Sequence, residues 1–104
     1  MYHLLISDES RLDILESFSW YERCRPGLGK EFEACLDAGF IKIQTTPLHF
    51  QKRYKQIRIH FIDRFPFGIH FLVDGDKVRV FGVFHTSRDP KNWTERLRSK
   101  SKKD

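Results

Sequence analysis

The hydrophobic period of the chain changes near Lys55, and this change strongly limits the possible folds. Before it, apolar residues recur at the spacing of amphipathic helices. After it, they alternate with other residues over 57–62, 67–73 and 78–85, segments rich in β-branched and aromatic side chains. The Asp-Gly-Asp sequence at 74–76 is typical of a hairpin turn. The pattern predicts helices followed by a meander of antiparallel strands.

Two helices are predicted before the change of period. The first follows a short strand at 2–6, and Ser7 or Asp8 is its expected N-cap. The Arg-Pro-Gly turn at 25–27 separates it from the second helix, which ends at 46–47. Because the turn is short, the two helices must pack antiparallel as a hairpin. Their buried stripes are Ile14, Phe18 and Tyr21 in the first helix, and Leu28, Phe32, Leu36, Gly39 and Ile43 in the second.

The predicted sheet has two unlike faces. An apolar face, which the helical hairpin should cover, consists of Ile57, Ile59, Phe61, Phe67, Ile69, Phe71, Val73, Val78, Val80 and Phe84. The opposite, concave face collects Arg58, His60, His70, Arg79, Phe81 and His85. The expected fold is therefore a two-layer α+β domain, in which an N-terminal strand and an antiparallel helical hairpin pack on an antiparallel sheet of about four strands.

A short C-terminal helix is expected to start at Pro90, with Ser87 or Asp89 as its cap. Residues 1–97 should form one domain, since 104 residues support a single core, and the basic segment 98–104 is expected to be a flexible tail.

Charge and composition limit the class of protein. Residues 1–50 hold five Lys/Arg and eight Asp/Glu, whereas residues 51–104 hold fourteen and six. Such a basic half is typical of a polyanion binder, although a solvated surface or an acidic protein partner explains it equally well. The sequence shows no signal peptide and no membrane span, so we expect a cytoplasmic protein. Cys24 and Cys35 are interpreted as small buried residues rather than a disulfide or metal pair.

The order of elements, together with three short motifs, resembles the RelE/ParE superfamily of toxins from type II toxin–antitoxin systems, of the plasmid-stabilisation type. The motifs are PGLGKEF at the start of the second helix, Arg-Phe-Pro-Phe at 64–67 and His-Thr-Ser-Arg-Asp-Pro at 85–90. The resemblance covers about residues 4–93. It implies a growth-inhibiting toxin that forms a hetero-oligomer with a cognate antitoxin.

The family implies two possible targets. RelE-like members cleave mRNA on the ribosome without a metal or cofactor, whereas ParE-like members bind and poison DNA gyrase. Cleavage requires an acid/base and cations that stabilise the phosphorane. We expect ribosome-dependent mRNA cleavage, because of His85 and the basic face. The alternative is the gyrase mechanism, which is favoured because no tyrosine follows Tyr54 and no glutamate lies on the predicted concave face. A relative that binds its antitoxin without being toxic is a third possibility.

The resemblance also implies roles for individual residues. His85 is the candidate acid/base, because imidazole titrates near neutrality. The proposed phosphate-binding cations are Arg58, Arg79 and Arg64. Further RNA contacts are expected from Lys52, Arg53, Lys55, Arg88, His60 and His70. Trp20 and Trp93 are candidate partner contacts, although each could instead serve packing. His85 could also simply bond to the loop that follows it.

Overall fold

One strand, two helices, four strands and a final helix follow one another in the computed structural model, which describes residues 1–102 and the side chains of residues 1–98. In order, the elements are β1 (His3–Ile6), α1 (Asp8–Cys24), α2 (Leu28–Thr45), a 3-10 turn (Pro47–His49), β2 (Lys52–Tyr54), β3 (Ile57–Phe61), β4 (Phe67–Asp74), β5 (Lys77–His85) and α3 (Pro90–Lys102). The predicted α+β architecture is confirmed.

The strands form a single mixed sheet in the order β1-β5-β4-β3-β2. The meander from β2 to β5 is antiparallel, as expected. The first strand joins it in parallel, with His3 opposite Lys77 and Ile6 opposite Val80. A parallel neighbour needs a long crossover, and the α1–α2 hairpin together with the meander supplies it. The short β2 extends the sheet beyond the strands that the periodicity predicted.

The helical hairpin is held together by caps at its start and its turn. The Ser7 side chain accepts a hydrogen bond from the Ser10 amide at 3.1 Å, which confirms Ser7 as the N-cap of α1. At the turn, the Glu22 carboxylate accepts hydrogen bonds from the amides of Gly27 and Gly29. These bonds lower the pKa of Glu22 and satisfy amides at the start of α2, where Gly27 has a positive φ of 88°.

The hairpin covers one face of the sheet, which we call the hairpin face. The buried residues of this core are Phe32, Leu36, Phe40, Ile43, Ile62, Phe65, Phe67, Ile69, Phe71, Val78, Val80 and Val83. Tyr21 of α1 joins an aromatic cluster with Phe32 and Phe65, with ring centroids 5.3 and 4.9 Å from Tyr21. The strand residues of this buried core come from β4 and β5.

The opposite face, called the outer face below, carries a second and smaller core. Its buried residues are Ile57, Phe81 and Phe84, and Tyr54, Leu72, Trp93 and Leu97 pack against them. Asp89 caps α3, because its carboxylate accepts a hydrogen bond from the Lys91 amide at 2.9 Å. Helix α3 thus covers part of the face that the sequence predicted to be open and polar.

Several predicted positions are wrong. Ile57 and Phe84 lie in the outer core, not under the hairpin, and the alternation of β3 places Ile59 and Phe61 on the same outer face. Cys24 is exposed at the end of α1, because this position points away from the sheet, and Cys35 is half-buried. Both thiols are free.

The predicted tail at 98–104 begins inside α3, which extends to Lys102. Residues 103 and 104 lie outside the described part of the chain, and the flexibility of the segment stays a prediction.

Replacing Phe32 with alanine should lower the free energy of unfolding by about 3–5 kcal/mol, since this fully buried ring would leave a cavity between hairpin and sheet. Ile41, on the same helix and 58% exposed, provides the matched control. Urea denaturation of both alanine variants measures the effect. Equal loss of stability in the two variants would contradict this assignment of the core.

Candidate functional site

A β-bulge in β5 determines which side chains reach each face. His70 of β4 pairs with Gly82, whereas the next residue, Phe71, pairs with Val80, so Phe81 is an extra residue in β5. A one-residue insertion reverses the alternation beyond it. Val80 and Val83 consequently both face the hairpin. The end of β5 therefore presents its side chains on the faces opposite to those predicted.

The bulge is held by an ion pair between α1 and α3. The Asp13 carboxylate accepts a hydrogen bond from the Val83 amide at 3.1 Å, and Arg96 donates to the Phe81 carbonyl at 3.3 Å. The guanidinium also binds both oxygens of Asp13, at 2.5 and 3.1 Å. Both side chains are largely buried, with 11% of Asp13 and 18% of Arg96 exposed. The two side chains thus satisfy the backbone groups of β5 beyond Val80, where its pairing with β1 ends.

His85 lies beyond the bulge and points toward the hairpin side, so its predicted place on the concave face is wrong. Its ring contacts Phe67 at 5.2 Å, and its Nδ1 accepts a hydrogen bond from the Ser87 amide at 3.0 Å. This is the local loop bond that the sequence allowed as an alternative. The exposed ring lines a cavity of about 130 Å³ together with Glu16 and Arg88, among others.

Arg58 and His60 also lie on the hairpin face, contrary to prediction. They pair across the sheet with Phe71 and Ile69, which belong to the hairpin core. Arg58 donates to the Phe50 carbonyl at 2.6 Å, and the His60 ring lies 4.8 Å from the Phe50 ring. Burial, and then the nearby Lys42 charge, lower the pKa of His60. Here the longer polar side chains fill the margin that the hairpin leaves beside β3.

His70 lies on the outer face, as predicted, but it is buried under α3. Its Nδ1 lies 2.9 Å from the Tyr54 hydroxyl, and its ring contacts Trp93 and Phe84 at 4.6 and 4.8 Å. Burial, and secondarily the Arg96 charge, lower the pKa of His70 to about 3. Since the side chain is only 1% exposed, a direct RNA contact by His70 is incompatible with this conformation.

The remaining candidate catalytic arginines are neutralised locally. Arg64 forms an ion pair with Glu31 at 2.7 Å, and Arg79 forms one with Asp74 at 3.1 Å. Only Arg79 of the two lies on a strand of the sheet. The structure therefore does not bring the candidate catalytic set together around one phosphate position.

Four other predicted RNA contacts form a different group. Lys52, Arg53, Lys55 and Arg88 are exposed, and none of them pairs with a carboxylate within the described residues. Arg53 lies over the ring of Phe61, with its guanidinium carbon 5.6 Å from the centroid. Three of these cations cluster at β2 and the turn after it. Their charges are available to an anionic ligand.

The two candidate partner contacts occupy different environments. Trp20 is 59% exposed on α1. Trp93 is half-buried and stacks on Tyr54, with ring centroids 5.7 Å apart. Trp93 therefore packs α3 onto the sheet, while the predicted partner roles of both residues stay predictions.

Sequence reasoning did not single out Asp13, Arg96 or Phe61. Asp13 and Arg96 are 83 positions apart, and no local pattern connects them. The apolar alternation of β3 predicts that Phe61 lies in the core, whereas the ring is exposed. An arginine next to an exposed aromatic residue becomes visible only when the bulged pairing of β2 with β3 is known.

The described residues contain no group of three or more His, Cys, Asp or Glu side chains that could hold a metal ion. Among them, too, no helix combines the length and apolarity that crossing a membrane requires.

Of three comparisons with known proteins, the one with solved structures finds matches. No protein-family model matches the sequence, and no curated protein matches it significantly. Among solved structures, a chain of the chromosomal ParDE TA system from P. aeruginosa superposes with a TM-score of 0.74. The match covers 84% of this chain and 98% of the other at 15% identity. The two chains share one fold. At this identity, the likeness establishes the architecture.

Replacing Asp13 with alanine should lower the free energy of unfolding by about 3 kcal/mol, because Arg96 would be left largely buried and unpaired. Thermal and urea denaturation measure the loss. Glu16→Ala, three residues further along α1 at an exposed position, should change stability little. The double variant Asp13→Ala/Arg96→Ala should lose less than the sum of the single variants, and strict additivity would contradict the coupling.

His70 should make the fold sensitive to acid. Its folded-state pKa lies below the unfolded value, so the unfolded chain takes up a proton first as the pH falls below about 6.5. The stabilisation is thus complete above that pH and is lost at about 1.4 kcal/mol per pH unit toward pH 3. Comparing the pH dependence of the free energy of unfolding for wild type and His70→Gln isolates this contribution, since the two proteins share every other titratable group. Parallel curves would refute it.

Proposed function

We propose that the chain is the toxin of a type II toxin–antitoxin module, and that a cognate antitoxin neutralises it in a hetero-oligomer in the cytoplasm. The observation that supports this most strongly is the superposition on nearly the whole of a chain from a ParDE TA system. The order of motifs at 26–32, 64–67 and 85–90 independently resembles the RelE/ParE superfamily. The basic half of the chain provides a surface for an acidic segment of the antitoxin.

Two mechanisms of growth inhibition are compatible with this proposal, and each has an observation in its favour. Binding of DNA gyrase without catalysis is favoured by the dispersal of the candidate catalytic residues. Arg58 binds the Phe50 carbonyl, whereas Arg64 and Arg79 are paired with carboxylates elsewhere. A binding toxin needs no acid, base and cation around one phosphate.

Ribosome-dependent mRNA cleavage is favoured by the corner at the end of β5. There His85 and Arg88 are both exposed and border the same small cavity. The Arg88 guanidinium carbon lies 5.4 Å from the centroid of the Phe84 ring. An imidazole and a guanidinium at the same corner supply an acid/base and a cation, which are two of the groups that phosphodiester cleavage requires. In this mechanism His85 acts with Arg88, and the arginines of the sheet contribute only binding.

Induced expression of the wild-type chain should arrest growth, and co-expression of the antitoxin should relieve the arrest. If the chain cleaves mRNA, new mRNA 5′ ends should appear within translated codons, and His85→Ala should lower cleavage at least about 100-fold. If it binds gyrase, mRNA should stay intact and a supercoiling assay with purified gyrase should show inhibition that His85→Ala leaves unchanged.

His49→Ala is the matched control, since His49 is an exposed histidine remote from β5. Absence of growth arrest with well-expressed, folded wild-type protein would refute the toxin proposal and leave the non-toxic, antitoxin-binding relative.

A further inference from the structure

An exposed aromatic ring lies at the end of the outer face that α3 leaves open. Phe61, the last residue of β3, is 47% exposed. The aromatic residues nearest to α3 are packed together: Trp93 stacks on Tyr54 and on Phe84. Phe61 belongs to neither buried core. Exposing a phenylalanine on a sheet surface costs hydrophobic free energy, so a partner that covers it would gain stability.

The Phe61 ring packs against a glycine of the neighbouring strand. Gly68 of β4 pairs with Phe61 on one side and with Phe84 of β5 on the other. A Cβ atom at Gly68 would lie 3.3 Å from two carbons of the Phe61 ring. Any side chain larger than hydrogen would therefore crowd the ring. Gly68 is itself buried, because the Ile59 side chain and the Phe61 ring lie over it, so this face of the ring packs on β4. The rest of the ring stays exposed and can be approached by a flat ligand.

Unpaired positive charge adjoins the ring. The Arg53 guanidinium lies over Phe61 and, within the described residues, makes no hydrogen bond or ion pair. It is exposed and can move to accommodate a ligand. Lys52 and Lys55 are its neighbours along the chain, likewise without carboxylate partners. Lys52 pairs with Arg58 of β3, and Lys55 lies in the turn before β3, at the other end of that strand from Phe61. The planar apolar surface thus lies against one available guanidinium, with two further available cations along β2 and the turn after it.

We propose that Phe61 and Arg53 form a stacking platform for one base of a single-stranded RNA, whose backbone phosphates bind Lys52 and Lys55. Bases stack on phenylalanine rings and on guanidinium planes, and lysines bind phosphates. An acidic peptide would satisfy the cations but would leave the flat ring beside Gly68 without a function. For its biological meaning, the inference rests on the cleavage mechanism of the proposed function, whereas the binding requires neither toxicity nor an antitoxin.

The test is binding of fluorescein-labelled 12-mer oligouridylate and oligoadenylate to the purified full chain, followed by fluorescence anisotropy. The wild type should bind both. Phe61→Leu keeps an apolar side chain but removes the aromatic face, and it should weaken binding by about 5- to 100-fold. Phe61→Trp should bind as well as wild type or better. Arg53→Gln should weaken binding and lower the slope of log affinity against log salt by about 0.7.

Two controls separate stacking from general electrostatics. Arg23→Gln removes an exposed arginine of α1 far from the platform and should leave the affinity nearly unchanged. A 12-base-pair RNA duplex, whose bases are already stacked inside the helix, should bind wild type and Phe61→Leu equally. Circular dichroism and urea unfolding of each variant establish that it is folded.

Two results would overturn the inference. One is equal single-strand affinity of folded Phe61→Leu and wild type. The other is loss of antitoxin binding by Phe61→Leu with unchanged RNA affinity, which would make the platform a protein contact. Growth arrest by the wild-type chain is scored separately, so failure of RNA binding does not count against the toxin proposal.

Discussion

The ion pair between Asp13 and Arg96 connects all three layers of the molecule. The carboxylate comes from the hairpin, the guanidinium from α3, and both bind backbone groups of β5 that β1 leaves unpaired. Without these side chains, a strand amide and a strand carbonyl would be buried without partners, a condition that folded proteins avoid. The pair therefore fixes the position of α3 against the sheet and, with it, which part of the outer face is covered.

The position of α3 determines what each face of the sheet can do. Helix α3 encloses His70 and Tyr54 in an apolar setting. Burial lowers the pKa of His70, so its ring stays uncharged around neutral pH, and it raises the pKa of Tyr54. The far end of β3 is left open, with Phe61 exposed. On the other face, Arg58 and His60 fill a margin beside the hairpin. Polar side chains on this sheet thus serve packing in one place and stay available in another.

The sequence was sufficient to predict the helices and strands, but not which face of the sheet each strand side chain occupies. Periodicity located the helices and the three long strands, because burial on one side imposes a period of 3.6 or 2 along each segment. It could not locate the bulge at Phe81, since an extra residue in an apolar run does not interrupt the run. Every assignment beyond it, His85 included, was therefore reversed. In β3, the side chains on both faces can pack, so which face lies under the hairpin depends on where α3 docks. The docking of α3 requires an ion pair between residues 83 positions apart.

The cations at the margin of the sheet have a second physical effect. β2 is an edge strand, and its outer hydrogen-bonding groups could pair with a strand of another molecule. It is three residues long, its pairing with β3 is irregular, and two of its residues are Lys52 and Arg53. Two copies that approached edge to edge would bring these unpaired charges together. The charge that favours an anionic ligand thus also opposes aggregation through this edge, and neutralising it should make the protein more prone to self-association as well as weaker in binding.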